Sequence, residues 1–396
     1  MREPERGTLL IFLAPEVDPA ATFVGRDLLD RARALAEVTG LAPALVSDGR
    51  PIGQAHGLSR LEPGAALPTD GPVVLLRADV ACVAGAVRDL LAADGAPRAA
   101  RDDRGRIALV RTTATALGGR VPSDLESAAV EAEVDPRQGW LGERRVLALS
   151  YAKLGTDPDI AAVERTRVER ELLESLDNPR DGFLDRVLNR HLSRPLSLEL
   201  MRRPVTPNQI TVAGVLLAFL GAALIALPGI FWPVLGALLL QATAVLDCVD
   251  GEIARAKVQE TEWGEWLDIT SDTLIHIATF LGIAVHAWPE LGTGSAWALG
   301  ALFAFGGLAS FAVVTYAEKT EERWKPLDIW QSRLLATMLA TLTTRDTSIL
   351  VLLAAVTGLL TELLIGAALG AQVFWFTALM LLADLLHRAE QAASAR

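Results

Sequence analysis

Cysteine is almost absent from this 396-residue sequence, which holds only Cys82 and Cys248. Two cysteines cannot supply a disulfide framework or a zinc cluster. Histidine is scarce too, with five residues, and no His or Cys constellation has metal-ligand spacing. Internal repeats of fixed period and low-complexity tracts are missing, which excludes solenoids, collagens and disordered tails. Positive charge is in deficit: 37 Lys and Arg stand against 48 Asp and Glu, a net charge of −11. Nothing therefore draws the chain as a whole to nucleic acid. The opening stretch MREPERGTLLIFLAPEVDP is too charged, and its apolar run too short, for a secretory signal. The first half is expected to start and stay in the cytosol.

Hydrophobic residues make up 51% of the chain and charged residues 21%, with a mean hydropathy of +0.33. That is too apolar for a purely soluble protein and too charged for one buried in lipid throughout. The charges are unevenly spread. Residues up to Arg203 carry 28 basic and 31 acidic side chains, whereas the rest carry 9 and 17. A soluble half followed by a membrane half reconciles the two averages.

In the first half, GTLLIFLA at 7–14, VVLLR at 73–77 and Val146–Ser150 read as short buried strands. Helical spacing covers 24–39, 81–93 and a charged stretch at 158–176. Alternating strands and helices predict an α/β layer domain over residues 1–176. Residues 177–206 form a junction, opened by the turn-rich Asn178-Pro179-Arg180-Asp181-Gly182. Beyond it, Phe183, Val187, Leu188, Leu192 and Leu196 share a face with arginines elsewhere, the pattern of an amphipathic helix lying on an anionic bilayer.

From residue 207 to 390 the apolar runs reach bilayer length, about 20 residues each. Six spans are expected, at 209–227, 231–249, 265–287, 295–317, 348–368 and 370–387. The connections near 228–230, 288–294 and 369 hold no Lys or Arg, so both ends and the longer loops are assigned to the cytoplasmic side of an inner membrane. Segment 327–341 fits a further surface helix or an extension of the fifth span. Glu362 falls inside the expected fifth span, where a charge is costly; it is protonated, pairs with a group such as Thr361, or lies near the outer surface.

The chemical signal is DCVDGEIARAKVQETEWGEWLDITSD at 247–272. Asp247 and Asp250 are three residues apart, and Asp268 and Asp272 four apart, so each pair shares a helix face. Antiparallel neighbouring helices would let the pairs converge. Four carboxylates beside hydrocarbon need compensation. Two divalent cations would provide it, and all-oxygen ligands suit Mg²⁺ or Mn²⁺. Between the pairs, Gly251 admits a ligand close to the backbone. Arg255 offers a planar fork for phosphate, Thr261 a hydroxyl, and Gly264 clearance. Such a two-metal site suits displacement at phosphorus.

The arrangement Asp247-x-x-Asp250-Gly251-x-x-Ala254-Arg255, then eight residues, then Gly264-x-x-x-Asp268-x-x-x-Asp272 resembles the signature of the CDP-alcohol phosphotransferases. Thr206-Pro207-Asn208-Gln209-Ile210-Thr211 at the start of the first span is similar to the family as well, and the likeness covers about 180–390. The resemblance implies transfer of a substituted phosphate from a CDP-alcohol to an acceptor alcohol, with release of CMP. It implies that Asp247, Asp250, Asp268 and Asp272 hold the metals, and that Asp272 also deprotonates the acceptor. Gly251, Ala254, Arg255, Thr261 and Gly264 would line the CDP pocket, with Asn208 and Thr211 beside it. Arg345, at the mouth of the fifth span, is the candidate on the acceptor side. A homodimer is implied too. CDP-diacylglycerol in phospholipid synthesis is the expected donor. A soluble donor such as CDP-inositol, with a lipid or polyol phosphate acceptor, is the alternative, and a non-catalytic ion-binding protein or transporter is the reading from another class.

Some family members carry a nucleotidyltransferase-like domain that makes the CDP-alcohol, and residues 1–176 resemble that layout. A triphosphate would need a Gly-rich basic loop after the first strand. Here that place holds Ala14-Pro15-Glu16-Val17-Asp18-Pro19. An inactive domain with a scaffolding or regulatory role is expected.

Overall fold

A computed structural model describes the chain except for residues 1–6, 15, 19–20, 25, 47–57, 69–70, 93–96, 131, 142–143, 150–151, 154–155, 177–184, 328, 343–346 and 395–396. The expected turn at 178–182, together with Phe183, lies outside the described residues.

Two compact units are present. The first joins residues 1–177 with 194–207 and 251–261. Its centre is a seven-stranded sheet of β1 (Thr8–Phe12), β2 (Ala42–Val46), β3 (Ser59–Leu61), β4 (Pro72–Arg77), β5 (Arg98–Arg101), β6 (Ile107–Thr113) and β7 (Glu133–Val134). The strand order is β7-β5-β6-β4-β1-β2-β3. Strands β3, β2, β1 and β4 run parallel, and β6 is antiparallel to β4 and β5. Leu9, Leu10 and Ile11 of β1 and Val73, Val74 and Leu75 of β4 are fully buried. Parallel strands covered on both faces read as continuous apolar runs for this reason. Helices α1 (Leu28–Thr39), α2 (Ala84–Ala92) and α3 (Pro158–Glu174) complete the α/β layers. Asp27 caps α1, accepting from the Asp30 amide at 2.8 Å, and Gly40 ends it at φ 72°.

Three strands expected from sequence meet different fates. The runs at 7–14 and 73–77 are β1 and β4. The expected strand at 146–150 shrinks to a two-residue pairing of Leu147–Ala148 with Val80–Ala81, outside the main sheet. Strands β2, β3, β5, β6 and β7 were not anticipated. Pro43 interrupts β2, and β5 reads Arg-Ala-Ala-Arg, so neither shows an apolar run.

The first unit also draws in residues 194–207 and 251–261, which the sequence alone assigns to the junction and the membrane domain. Helix α4 (Arg190–Leu200) contributes its later part. Arg202 donates to the buried Glu169 carboxylate on α3 at 2.8 and 2.6 Å. Burial pushes the Glu169 carboxyl up, and Arg202 pulls it down. Ser197 donates to Glu252, and both side chains are fully buried.

The second unit comprises residues 178–193, 208–250 and 262–396. Its long helices are α5 (Pro207–Ile225), α6 (Phe231–Lys257), α7 (Glu262–His286), α8 (Thr293–Lys319) and, after α9 (Trp330–Leu342) and α10 (Thr347–Thr357), α11 (Leu360–Ser394). Five of these helices, α5, α6, α7, α8 and α11, are long and apolar enough to cross a membrane, and the chain is a membrane protein on that basis. The expected count of six is met only in part, because α10 has eleven residues. The break falls at Gly358, at φ 73°, ten residues earlier than the sequence reading placed the end of the fifth span. Glu362 consequently sits exposed in the first turn of α11, where the helix dipole favours a negative charge. Thr361 donates to Glu290 instead, at 2.6 Å. The segment at 327–341 forms a separate helix, α9, whose Leu335 and Leu339 pack with Leu382 and Leu385 of α11.

Close packing and internal hydrogen bonds hold this unit together, as hydrocarbon surroundings require. A Cβ on Gly221 would lie 2.8 Å from the Gly236 carbonyl, so α5 and α6 approach backbone to backbone. Gln241, in the middle of α6, donates to Asn189 at 2.7 Å and accepts from Ser348 at 2.9 Å. Val187, Leu188 and Leu192 are at least one-third exposed, so this amphipathic stretch presents an apolar face.

Candidate active site

The site begins with helix continuation. The apolar run predicts that the second span ends at 249, but α6 runs on to Lys257. Asp247 and Asp250 are therefore on an unbroken helix, one turn apart on one face. Asp268 and Asp272 occupy one face of α7. Oxygens of Asp247, Asp250 and Asp268 all lie within 4.8 Å of one another. Asp250 is buried, and the other two are half-buried. Asp272 lines the same narrow cleft as Asp247 and Asp250, with Thr211 and Gly214 from α5, Thr243 from α6 and Ser271 from α7.

Thr211 donates to Asp250 Oδ2 at 2.6 Å. Sequence reasoning placed Thr211 beside the nucleotide; the structure puts its hydroxyl on a carboxylate of the acidic cluster. Gly214 comes close to α6, its nearest neighbours being Thr243 and Leu246. Thr243 donates to the Gly214 carbonyl at 3.3 Å. Ser271 and Thr243 were missed in the sequence. Their signal is slight: a small hydroxyl residue one helix turn before, or one position beside, a signature aspartate.

An all-carboxylate set fits a hard divalent cation. Three anionic groups this close repel one another, and a bound cation removes that cost. Asn208 and Gly264 fall in the first turns of α5 and α7.

The other signature residues belong to the first unit. Gly251 and Arg255 are four apart on α6, and the guanidinium folds back over the glycine. A Cβ built on Gly251 would stand 3.2 Å from Arg255 Nη1. Ala254 follows on the same turn of helix. Thr261 is exposed, just before α7. Arg345 lies outside the described residues.

Comparison with known proteins agrees with the motif. Residues 204–381 match the CDP-alcohol phosphatidyltransferase family model. That stretch of the chain is similar to this family, a family of transferases. A bifunctional IPC transferase and DIPP synthase of Aquifex aeolicus is 41% identical over 123 residues, 31% of this chain and 27% of that protein. A phosphatidylinositol phosphate synthase of Mycobacteroides abscessus is 31% identical over 115 residues, 29% of this chain and 50% of that protein. The matches thus span about a quarter to a half of the length of these relatives.

Proposed function

We propose that the protein transfers a substituted phosphate from a CDP-alcohol to an acceptor alcohol and releases CMP, in phospholipid synthesis. The observation that carries this reading is the gathering of Asp247, Asp250 and Asp268 within 4.8 Å, on helices that carry the family signature. Asp247, Asp250, Asp268 and Asp272 would hold two divalent cations, Mg²⁺ or Mn²⁺. When bound, the metals would polarise the pyrophosphate and stabilise the leaving CMP. Thr211 fixes the orientation of Asp250. Arg255 pairs with the pyrophosphate, and Gly251 leaves room for its guanidinium. Asp272 takes the proton of the acceptor hydroxyl as that oxygen attacks phosphorus. The absence of Lys and Arg from the connections near 228–230 and 288–294 supports a cytoplasmic site. There a nucleotide arrives from water and a lipid from the bilayer.

CDP-diacylglycerol is the donor in the first reading, with a polar acceptor. The relative named a phosphatidylinositol phosphate synthase supports an inositol phosphate acceptor. A soluble donor such as CDP-inositol is the second reading, and the higher identity to a relative of another name, 41% against 31%, keeps it in view. Full-length protein in proteoliposomes with Mg²⁺ or Mn²⁺ separates them. CMP release with CDP-diacylglycerol and a phospholipid product by mass spectrometry support the first. Release only with CDP-inositol supports the second. No CMP from any CDP-alcohol would leave an ion-binding membrane protein as the reading.

The N-terminal α/β domain is proposed to be a non-catalytic scaffold. Strand order reverses beside β1, between β2 and β4, and open α/β sheets take ligands at the carboxyl ends of strands at such a point. Asp79, two residues beyond β4, is a carboxylate at this end of the sheet. It accepts from Arg77 at 3.0 and 2.9 Å and from Arg106 at 3.3 Å. Its charge is already spent on two guanidinium groups. The full chain given CTP and a polyol phosphate is expected to release no pyrophosphate; steady release would overturn the scaffold reading.

A further inference from the structure

Within the first unit, one arginine ties the α/β sheet to the signature. Arg31 on α1 is 2% exposed. Its Nη1 donates to the carbonyl of Ala256, and its Nη2 to the carbonyl of Cys82 at 2.8 Å. Its guanidinium also lies over the Phe23 ring, 5.0 Å from the centroid. Ala256 is the residue after Arg255, in the last turn of α6.

That turn has an unusual ending. The last carbonyls of a helix have no partner within it. Gln259 N–H donates to the Ala254 carbonyl at 2.8 Å, and Val258 N–H to the Arg255 carbonyl at 3.3 Å. This is the paired closure that commonly uses glycine in the left-handed conformation. Here the left-handed residue is Val258, at φ 54°. A β-branched residue is strained in that region and persists where its surroundings over-determine it. The surroundings are visible. Val258 is 2% exposed. Lys257 Nζ donates to the carbonyls of Arg203 and Val205 at 2.7 and 2.8 Å. Arg31 takes the Ala256 carbonyl, and its positive charge suits a helix C-terminus. Arg255 immediately precedes these held residues, and its own carbonyl accepts from Val258 N–H, so the backbone that carries its side chain is fixed by the turn.

We propose that Arg31 is a positioning residue: through the Ala256 carbonyl it locks the left-handed turn at Val258 and so presets Arg255 for the pyrophosphate of the CDP-alcohol. The soluble domain thereby acts on the reaction without chemistry of its own. The inference rests on the assignment of Arg255 to the donor pocket.

The test uses full-length protein in proteoliposomes and two readouts, CMP release against donor concentration and amide hydrogen exchange over 254–260. Arg31→Met is expected to raise KM for the CDP-alcohol about tenfold, with a smaller fall in kcat, and to speed exchange at Val258 and Gln259. Arg31→Lys, which keeps the charge but reaches one carbonyl only, should fall between, and serves if the methionine variant does not fold. Adding Val258→Gly, which relaxes the turn, should recover much of the lost KM; a merely structural arginine would not be rescued this way. Unchanged KM and unchanged exchange in both Arg31 variants would overturn the proposal. If wild-type protein releases no CMP, the functional reading fails, while the exchange data still decide whether Arg31 locks the turn.

Discussion

The hydroxyl of Thr211, in the first span, donates to Oδ2 of Asp250, in the second, at 2.6 Å. Such a bond holds one carboxylate oxygen and so limits the rotation of the group within the cluster. Groups that orient a ligand in this way commonly change metal affinity by 10–100-fold when removed. Thr211→Val keeps the shape and loses the donor. It should raise the Mg²⁺ or Mn²⁺ concentration needed for half-maximal CMP release by at least about tenfold. Thr211→Ser should stay near wild type. Equal metal dependence in the valine variant would show that the bond has no such role.

Asp272 differs from its three companions. Asp247, Asp250 and Asp268 gather within 4.8 Å, while Asp272 lines the cleft beside them. A base can be separated from a ligand by two measurements on one variant. Asp272→Asn is expected to lower kcat by roughly 10²–10⁴ and to weaken one of the two metals, while a Mn²⁺ held by Asp247, Asp250 and Asp268, followed by electron paramagnetic resonance, still binds. Asp250→Asn should lose Mn²⁺ binding together with activity. Full turnover in Asp272→Asn would remove the base assignment.

These two residues show what was legible in the sequence. The i, i+3 and i, i+4 spacings fix helix faces, so the convergence of Asp247, Asp250 and Asp268 could be read before any fold was known. The hydrogen bond from Thr211 could not, because it depends on how deeply α5 and α6 approach, and that is set by glycines facing backbone. Span positions were legible from the apolar runs, although α6 continues past its apolar stretch to Lys257. The fifth was misjudged because Gly358 breaks a run that is apolar on both sides. In the α/β domain, β1 and β4 announced themselves as Leu- and Val-rich runs. Strand β5, with two arginines in four residues, could not, since its place in the sheet comes from its neighbours. The reach of Arg31 to Ala256 spans 225 positions, and no local pattern encodes it.

Gly251 makes a separable prediction. Alanine is favoured over glycine inside a helix by about 0.5–1 kcal/mol, so Gly251→Ala should not weaken α6. Its new Cβ would meet the Arg255 guanidinium at 3.2 Å, a contact relieved only by moving that group a few tenths of an ångström. The expected outcome is a higher KM for the CDP-alcohol with an unchanged or slightly raised unfolding temperature. Titrating donor at saturating metal, alongside a thermal melt, checks both halves. A variant with wild-type KM would show that the guanidinium can shift without loss.

Cys82 supplies a test of the α/β domain that needs no substrate. It is fully buried, and its backbone carbonyl accepts from Arg31. Burial pushes the thiol from its ordinary 9.0 up to about 11, while the nearby Arg31 charge pulls the other way. The folded state therefore holds this proton more tightly than the unfolded chain. The resulting stability is fully present below about pH 9 and is lost as pH rises towards 11. A gap of about two units corresponds to roughly 2–3 kcal/mol. Denaturant unfolding between pH 8 and pH 11 should show a steeper loss for wild type than for Cys82→Ala, the difference isolating this thiol from the other groups that titrate there. Maleimide should leave Cys82 unlabelled at pH 8 until the domain unfolds. Parallel pH profiles for the two proteins, or rapid labelling of the native one, would show that the thiol is not held in the way described.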